Sequence, residues 1–344
     1  MSIEGDAVLS GMEFDIIAKH FRPLTGEDTG ALSLQDDAAL LSVPPSHELV
    51  VTTDAVVAGV HFLDSLSPED VAYKVVGVNL SDLAAMGAEP QAVFLAAQFP
   101  TDLSEDWIAA FAGGLKAALA PSGAKLLGGD TVSTPGPVAL SLTALGQIAR
   151  GRALKRAGAK PGDIVFVTGA IGDGALGLLL LQSGIDGLSD AHRAHLARRY
   201  ARPEPRWKFA MALAQSGLVT AAIDISDGLV ADVGHICTAS GVEAVIEAEQ
   251  VPVSEAGRHA LVADPDLLQS VLSGGDDYEL AFTAPQDAMA DIEILAEQQD
   301  LDVAAIGRIE TPGKLEISPE TGPVIVLDAH GAKFDVGAGG YQHL

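Results

Sequence analysis

Two short acidic phrases each occur twice in this chain, in the same order and at nearly the same spacing. The first copy has Ser81-Asp82 followed by Gly128-Gly129-Asp130, and the second has Ser226-Asp227 followed by Gly274-Gly275-Asp276. Paired glycines let the backbone approach a ligand closely, and a carboxylate beside them is a hard oxygen donor suited to Mg²⁺. Alternatively, Ser-Asp caps helices and Gly-Gly makes turns. Four phrases in register favour a metal and phosphate site assembled from both halves of the chain.

Further carboxylates stand beside apolar runs. Asp36-Asp37 precedes one run, and Asp54, after Thr52-Thr53, closes another. Adjacent carboxylates repel each other unless a cation lies between them, although an acid in a turn also caps the turn or faces solvent. Metal ligation is the better interpretation when these acids are taken together with Asp82, Asp130, Asp224 and Asp227.

A glycine motif offers a rival interpretation. Gly172-x-Gly174-x-x-Gly177 follows a predicted strand and opens a predicted helix, which is the context of a dinucleotide-binding loop. The residues after it should lead through a second strand to an acid that binds ribose, but they lead into the polar segment 186–195 instead. A nicotinamide-dependent oxidoreductase therefore stays an alternative, and the loop could still place backbone amides near a phosphate.

No P-loop, protein-kinase catalytic loop or nucleophile elbow occurs in the chain. The one notable basic cluster lies in segment 150–160 and includes Arg156. It is either a contact for nucleotide phosphates or a solvated linker. Any kinase activity must therefore use a different architecture from the P-loop and protein kinases.

Composition bounds the class of protein. The 344 residues are 48% hydrophobic, which predicts two domains, and segment 149–162 is the predicted connection between domains 1–150 and 151–344. The net charge of −27 is spread over both halves, which argues against a nucleic-acid partner. Cys237 is the single cysteine, which fits a reducing cytoplasm. The absence of a long apolar run argues against a membrane partner.

The hydrophobic pattern predicts mixed helices and strands in both halves, an α+β or α/β fold. Predicted helices cover 12–21, 68–86, 104–119, 173–183, 190–200, 205–216, 229–240 and 285–299. Predicted strands cover 38–43, 49–57, 92–98, 125–127, 138–148, 163–168, 219–225, 242–246, 279–283 and 303–309. Ser67 is the predicted N-cap of the second helix, so Asp82 should lie near that helix's C-terminus.

Together these phrases resemble the thiamine-monophosphate kinase family, which belongs to the superfamily that includes aminoimidazole-ribonucleotide synthetase. The similarity runs in order from Glu13 to Tyr341, through 36–41, 52–62, 72–90, 128–131, 151–163, 223–229 and 273–280. The resemblance implies a two-domain fold of the aminoimidazole-ribonucleotide synthetase type. It also implies ATP-dependent phosphorylation of thiamine monophosphate with several Mg²⁺ ions, in a homodimer built through the N-terminal halves. Another ATP-dependent enzyme of the same superfamily is the alternative.

Site residues follow from the resemblance motif by motif. It implies metal ligands at Asp37, Thr52, Thr53, Asp54, Asp82, Asp130, Asp224 and Asp227. It implies nucleotide contacts at Gly129, Asp130, Arg156 and Ser226 and contacts to the thiamine phosphate at His61 and Asp276. His61 could instead be a satisfied polar residue at a strand end.

The chain departs from the family pattern at three places. Gln35 stands where the family usually has glycine before the acidic pair, and Asp276 stands where it usually has glutamate. The C-terminal phrase has Ala338 in place of an aromatic residue three positions before Tyr341. Stacking on the thiamine rings must then come from another position or be weaker.

The reaction itself would need no general base, because the second pKa of a phosphomonoester is ~6 and the attacking oxygen is largely ionised near neutral pH. The difficulty is to bring two polyanions together, so positioning and charge neutralisation dominate phosphoryl transfer. This chemistry agrees with a site rich in aspartate. We therefore expect direct in-line transfer in a cleft to which both halves contribute carboxylates, and the third possibility is a protein that senses ATP without catalysis.

Overall fold

The computed structural model describes residues 15–315, 317 and 322–336. The chain divides into two compact units, one of residues up to Leu83 with Glu89–Arg150 and one of Ala84–Ala88 with the residues from Gly151 onward. Each unit contains a β-sheet and helices, so the chain has a two-domain α/β architecture.

The first unit is built on a four-stranded sheet in the order β1-β4-β2-β3. Its elements are β1 (His47–Val57), α1 (Pro68–Ala85), β2 (Glu89–Pro100), α2 (Glu105–Leu119), β3 (Lys125–Thr134) and β4 (Ala139–Ala149). β1 and β2 pair antiparallel with β4, and β3 pairs parallel with β2. β1 and β3 are therefore the two edge strands of the sheet.

One face of this sheet is buried. Side chains alternate along β2 and β4, and the buried set includes Leu95, Leu140 and Leu142. The buried side chains of α1 and α2, Phe111 among them, supply the apolar partner surface. Full burial of one such side chain stabilises the fold by roughly 1.5–3 kcal/mol.

Serine caps begin both helices. The Ser67 hydroxyl accepts the backbone N–H of Asp70 at 3.1 Å, as the capping pattern predicts, and Ser104 accepts that of Trp107 at 3.2 Å. The predicted start of α1 is thus confirmed, and Asp82 lies in its last turn.

The second unit is built on a seven-stranded sheet in the order β11-β10-β7-β9-β5-β8-β6. The strands are β5 (Ile164–Thr168), β6 (Ala221–Asp224), β7 (Glu243–Glu247), β8 (Leu280–Ala284), β9 (Val303–Glu310), β10 (Val324–Leu327) and β11 (Lys333–Phe334). The helices are α3 (Asp173–Ser183), α4 (Asp190–Ala201), α5 (Trp207–Ser216), α6 (Leu229–Ser240), α7 (Glu255–Ala263), α8 (Leu267–Ser273) and α9 (Met289–Gln298). Among the described strands of this second sheet, only β10 and β7 pair in parallel.

Most predicted elements are confirmed to within a few residues, one strand prediction is wrong, and one predicted strand is longer than expected. Residues 38–43 form no strand, because Leu40 is 68% exposed and its N–H bonds the carbonyl of Gly30 instead of a neighbouring strand. The predicted strand 125–127 continues to Thr134, so Gly128-Gly129-Asp130 lies within a strand and not in a turn. α7, α8, β10 and β11 were not predicted.

Two predictions concern residues near the ends of the chain that the structure does not describe. Residues 15 and 16 are helical and Ile17–Phe21 form a π-helical turn, but the start of the helix predicted from residue 12 lies outside the described residues. The C-terminal phrase with Ala338 and Tyr341 also lies outside them. No helix in the described part of the chain is long and apolar enough to cross a membrane.

Candidate active site

In the first unit, α1 is joined to β1 by three polar residues from the predicted site. The Thr52 hydroxyl donates a hydrogen bond to Asp82, and the side-chain carbonyl of Asn79 accepts the backbone N–H of Asp54 at 3.1 Å. Thr52, Asp54 and Asp82 are all half-buried. The structure therefore brings together Thr52, Asp54 and Asp82, as a group of oxygen donors on the helix-covered side of β1.

Thr53 lies on the opposite face of the same strand, because successive side chains of a strand point to opposite sides. Its hydroxyl donates to the carbonyl of Leu142 at 3.3 Å and accepts from the Thr143 hydroxyl at 3.1 Å. The structure does not bring the Thr53 side chain to Asp82. Only the backbone carbonyl of Thr53 would remain as a potential ligand.

A second group lines a cavity of ≈ 430 Å³ in the same unit, and it contains Asp36, Asp37, Gly129, Asp130 and Thr131. Gly129 is required there, because a Cβ at this position would lie 1.9 Å from the carbonyl oxygen of Leu95 on the neighbouring strand. The structure thus brings Asp37 to the Gly-Gly-Asp phrase. Both aspartates are exposed.

The two groups occupy opposite edges of the four-stranded sheet. Asp54 lies on β1, and Asp130 lies on β3, with two strands between them. Strand spacing of ~4.8 Å places their backbones roughly 14 Å apart. Their side chains also point to opposite faces of the sheet. Asp54 lies on the helix-covered face, whereas Asp130 pairs with Ala96, which lies on the face opposite to the buried Leu95. Within a single chain, the sheet therefore holds the group around Asp54 and the group around Asp130 apart.

His61 follows β1 and is half-buried. Its Nδ1 accepts the backbone N–H of Val57 at 3.1 Å, so the neutral ring carries its proton on Nε2. The imidazole is therefore held by the backbone on one side and is a hydrogen-bond donor on the other. Both predictions for His61 agree with this geometry: it is a satisfied residue at a strand end, and it can donate to an anion.

In the second unit, the two phrases of the second copy, Ser226-Asp227 and Gly274-Gly275-Asp276, lie side by side. The N–H of Asp276 donates to the carbonyl of Ser226 at 2.9 Å, and the N–H of Tyr278 donates to Ile225 at 2.8 Å. A Cβ at Gly275 would lie 2.2 Å from the Ser226 oxygen, so glycine permits this approach. The structure therefore brings Asp224, Ser226 and Asp227 next to Asp276.

Asp276 has a strained backbone. Its φ of 73° lies in the left-handed region, as does the φ of 53° at Tyr278. The hydroxyl of Tyr278 donates to the Asp276 carboxylate at 3.0 Å. Non-glycine residues in this region cost energy and are concentrated at functional sites, which makes this loop a candidate site.

Asp232, on the first turn of α6, is a central residue of the site that sequence reasoning missed. One of its carboxylate oxygens accepts the backbone N–H groups of Ser226, Asp227 and Gly228 at 3.0, 3.0 and 3.1 Å. Burial and the nearby charge of Asp224 raise the pKa of Asp232 to about 8 despite these hydrogen bonds. The sequence feature that could have identified Asp232 is its position as an acid in the first turn of the predicted helix 229–240.

These carboxylates also form a potential metal site. Asp227, Asp232 and the exposed His235 offer ligand atoms that lie within 4.8 Å of one another. Asp224, which is buried, adds a third carboxylate nearby. Several buried or half-buried acids at one point repel each other unless a cation neutralises them, so the donor set fits a hard divalent ion such as Mg²⁺.

The glycine loop at 172–177 does not offer its amides to a ligand. Its N–H groups at Gly172 and Gly174 donate to the two carboxylate oxygens of Asp277, at 2.7 and 3.0 Å. A helix, α4, follows in place of the second strand of a dinucleotide-binding unit. The suggestion that this loop binds phosphate is therefore wrong, because the buried Asp277 already occupies its anion-binding position.

Glu279 anchors the same phrase in the core. It is fully buried and accepts hydrogen bonds from Thr168 at 2.6 Å, from Arg199 at 2.9 Å and from both Nε and Nη2 of Arg206. Two guanidinium groups compensate the buried charge. Of the three acids in the phrase, Asp277 and Glu279 are thus engaged within the protein, and Asp276 stays the candidate for a ligand contact.

Arg156 has an exposed side chain in the connecting segment. The backbone there is fixed along β6, because the Arg156 carbonyl accepts the Ser240 hydroxyl at 3.2 Å and the Lys155 carbonyl accepts the N–H of Ala222 at 2.8 Å. The predicted linker is thus an ordered edge of the second unit that presents its basic side chains outward.

Comparison with known proteins agrees with both units. Residues 35–148 match the family AIR synthase related protein, N-terminal domain, and residues 160–318 match its C-terminal domain. The thiamine-monophosphate kinase of Salmonella typhimurium is 42% identical over 302 residues, covering 86% of this chain and 90% of that protein.

Solved structures show the same similarity. The thiamine-monophosphate kinase of Stenotrophomonas maltophilia K279a has a TM-score of 0.77 and 42% identity, covering 85% of this chain and 89% of that one. AaThiL, solved in complex with AMPPCP and TMP, has a TM-score of 0.73 and 31% identity, covering 88% and 89%.

Proposed function

The chain belongs to the thiamine-monophosphate kinase family, and on this premise we propose that it phosphorylates thiamine monophosphate to thiamine diphosphate with ATP, by direct in-line transfer. The relative that was solved with AMPPCP and TMP supports two phosphate-bearing substrates. The observation that carries the proposal is the pairing of Ser226-Asp227 with Gly275-Asp276 through one backbone hydrogen bond, which places carboxylates at a loop opened by glycine.

The residues of the site suit this reaction because none of them has to remove a proton. The attacking phosphate oxygen is already ionised near neutral pH, since the second pKa of a phosphomonoester is ~6. The protein's work is to position two polyanions and to neutralise their charge. Aspartates that hold cations do this, and a general base would add nothing.

The chain's own donors fit Mg²⁺, which would neutralise phosphate charge when bound. In the second unit, burial and the nearby charge of Asp224 raise the pKa of Asp232 to about 8, which agrees with a site where a bound cation would be favourable. The residues that we propose as metal ligands are Asp37, Thr52, Thr53, Asp54, Asp82, Asp130, Asp224 and Asp227.

For ATP, we propose contacts from Gly129, Asp130, Arg156 and Ser226. Gly129 has no side chain to obstruct a nucleotide, and a Cβ at this position would lie 1.9 Å from the carbonyl oxygen of Leu95. Arg156 presents an exposed cation from a fixed backbone. Ser226 is held by its backbone N–H to Asp232, so its hydroxyl is oriented by the rigid turn.

For thiamine monophosphate, we propose contacts from His61 and Asp276. The Nε2–H of His61 is a donor for the phosphate, because Nδ1 is already the acceptor of a backbone bond. The hydrogen bond from Tyr278 fixes the Asp276 carboxylate, whose side chain is one methylene shorter than the glutamate usual in the family. A shorter acid places its oxygen farther from the substrate, so a bridging water fits this contact.

A homodimer would complete the site. Asp54 and Asp130 lie on opposite edges and faces of one sheet, so a second copy is needed to bring a β1 group to a β3 group. The open face of β1 also exposes Leu49 (43%) and Val51 (56%), apolar side chains suited to burial between two sheets. We propose that the partner supplies one of the two groups. A cytoplasmic location stays a prediction from the single buried cysteine.

One assay tests the proposed reaction: ADP release by the purified protein with and without thiamine monophosphate. The proposal requires release that depends on thiamine monophosphate and Mg²⁺, with thiamine diphosphate as the product. ATP binding without ADP release would identify a sensor, and isolation of a phosphorylated enzyme on the reaction path would contradict direct transfer.

A further inference from the structure

Two imidazoles and a carboxylate meet between α4 and α7, away from the acidic motifs. His192 lies on α4, and Glu255 and His259 lie on α7. Their ligand atoms lie within 4.8 Å of one another. The two rings have centroids 4.4 Å apart, and Nε2 of His192 is 3.7 Å from the Glu255 carboxylate.

The fold holds this group in place. Glu255 and His259 are four residues apart on one helix, which places them on the same face. His192 comes from the first turn of the neighbouring helix, where its N–H is capped by Ser189 at 3.2 Å. Buried Leu196, Ala256 and Ala260 belong to one core cluster, so α4 and α7 are packed together.

A hydrogen-bond network through Asp173 links the same two helices, α4 and α7. The carboxylate of Asp173 contacts Nε2 of His195 at 2.7 Å and accepts the Ser254 hydroxyl at 2.6 Å. Ser254 is the N-cap of α7, and His195 lies one turn after His192 on α4. The backbone positions of His192 and Glu255 are therefore set by a buried acid and not by the group itself.

His192 carries an unsatisfied polar atom. Its side chain is 19% exposed, and its Nδ1 is buried with no hydrogen-bond partner among the described residues. An unpaired buried polar group destabilises the folded state. The tilted contact with the His259 ring and the 3.7 Å approach of Nε2 to Glu255 do not remove this destabilisation, because neither involves Nδ1 as a donor or acceptor.

We propose that His192, Glu255 and His259 form a binding site for a divalent transition ion, Zn²⁺ in particular. Two imidazoles and one carboxylate are the ligand set of an open tetrahedral zinc site, with water in the fourth position. Bonds of ~2.1 Å place tetrahedral ligands roughly 3.4 Å apart, so the present spacing needs only rotation of side chains. Glu255 and His259 are exposed and able to rotate.

The site differs in chemistry from the acidic motifs. Two imidazole nitrogens favour Zn²⁺ over Mg²⁺, whereas the group of Asp227, Asp232 and His235 has one imidazole beside two carboxylates, with Asp224 nearby. The ion would join α4 to α7 and would act as a stabilising clip. This inference does not rest on the proposed kinase reaction, because none of its three ligands belongs to the residues assigned to that reaction.

The test is a titration of metal-free protein with Zn²⁺ by calorimetry, in excess Mg²⁺ to saturate the acidic motifs, with Co²⁺ absorption to report the coordination geometry. We expect one tight site per chain and a tetrahedral Co²⁺ spectrum. His259→Ala and Glu255→Gln alter exposed residues and should fold. Each should weaken Zn²⁺ binding at least about 100-fold, more than the loss of an outer-shell partner usually does.

His330→Ala is the matched control, because it removes an exposed imidazole outside the group. It should leave the affinity unchanged. Equal Zn²⁺ affinity in His259→Ala and in His330→Ala would overturn the site, as would the absence of a tetrahedral Co²⁺ spectrum in the unaltered protein. A rise in melting temperature with Zn²⁺ that is lost in His259→Ala would support the clip.

Discussion

Asp277 accepts the backbone N–H of Gly172 at 2.7 Å, and this bond joins the Gly-Gly-Asp-Asp phrase to the glycine loop that precedes α3. A second bond reaches its other oxygen from Gly174 at 3.0 Å. The loop has the sequence of a phosphate-binding turn, but the Asp277 carboxyl group occupies the place that a phosphate would take. Two motifs that look functionally separate in the sequence are thus one structural unit that supports Asp276.

Asp277→Asn should destabilise the protein by roughly 1–3 kcal/mol, because the amide nitrogen would face an N–H donor and leave it unpaired. Urea unfolding measures this change. Asp264→Asn, at an exposed acid, is the control and should unfold as the unaltered protein does. Equal stability of both variants would show that the two bonds contribute nothing.

The same residue predicts a pH dependence. Burial raises the pKa of Asp277 to about 8, against the lowering effects of the two N–H groups and of Arg199. Between the unfolded value of ~3.9 and this value, the folded state keeps a proton that the unfolded chain loses. Its contribution to stability is therefore full at low pH and is lost as the pH rises towards 8. Urea unfolding over this range should show a flatter profile for Asp277→Asn, and identical profiles would contradict the prediction.

The sequence predicted the elements that carry clear patterns. Ser67 and the apolar spacing after it were sufficient to place α1 and hence Asp82. The short helix α7 was missed, although Ser254 and Glu255 stand at its start, because only nine residues follow before it ends. Residues 38–43 were predicted as a strand on apolar content alone, and a strand also needs a partner, which no local pattern reveals.

The site was predicted as a set of residues and not as an arrangement. The acidic phrases predicted Asp227 and Asp276 as neighbours of a ligand, but the position of Asp232 depends on three backbone N–H groups that converge only after the chain turns. The separation of Asp54 from Asp130 depends on strand order, which sequence spacing does not encode.

Asp82→Asn should lower turnover at least about 100-fold while the fold survives, because an amide nitrogen cannot bind a cation. Asp82 is half-buried, and its partner Thr52 can still donate to the amide oxygen. ADP release measures the activity, and circular dichroism checks the fold. Asp102→Asn, at an exposed acid of the same unit, should leave turnover unchanged. Retained activity of Asp82→Asn with a normal Mg²⁺ dependence would remove Asp82 from the site.

His61→Asn should raise the KM for thiamine monophosphate roughly 10-fold or more and leave the KM for ATP unchanged. The asparagine oxygen can accept the Val57 N–H in place of Nδ1, so the strand end is kept, but the donor at Nε2 is lost. A hydrogen bond to a charged group contributes roughly 1.5–3 kcal/mol. An unaltered KM for thiamine monophosphate would leave His61 with its structural role only.

Cys237 should be unreactive in the folded protein. Burial, with a smaller effect of Glu243, raises the pKa of its thiol to about 12. The thiolate fraction near pH 8 is then on the order of 10³ lower than for a free cysteine. Titration with a chromogenic disulfide should show no fast reaction until urea is added. Rapid labelling of the folded protein would contradict the burial of this residue.

Mixing two inactive variants tests whether the site is shared between two copies of the chain. If Asp54 of one copy serves with Asp130 of the other, a heterodimer of Asp54→Asn and Asp130→Asn contains one site with both changes and one intact site. Random exchange of subunits should then restore about a quarter of the activity of the unaltered protein. Asp54→Asn mixed with Asp82→Asn is the control, because both residues lie in the β1 group and no intact site can form. Recovery in the first mixture alone supports the shared site, and no recovery in either shows that one chain brings both groups together by itself.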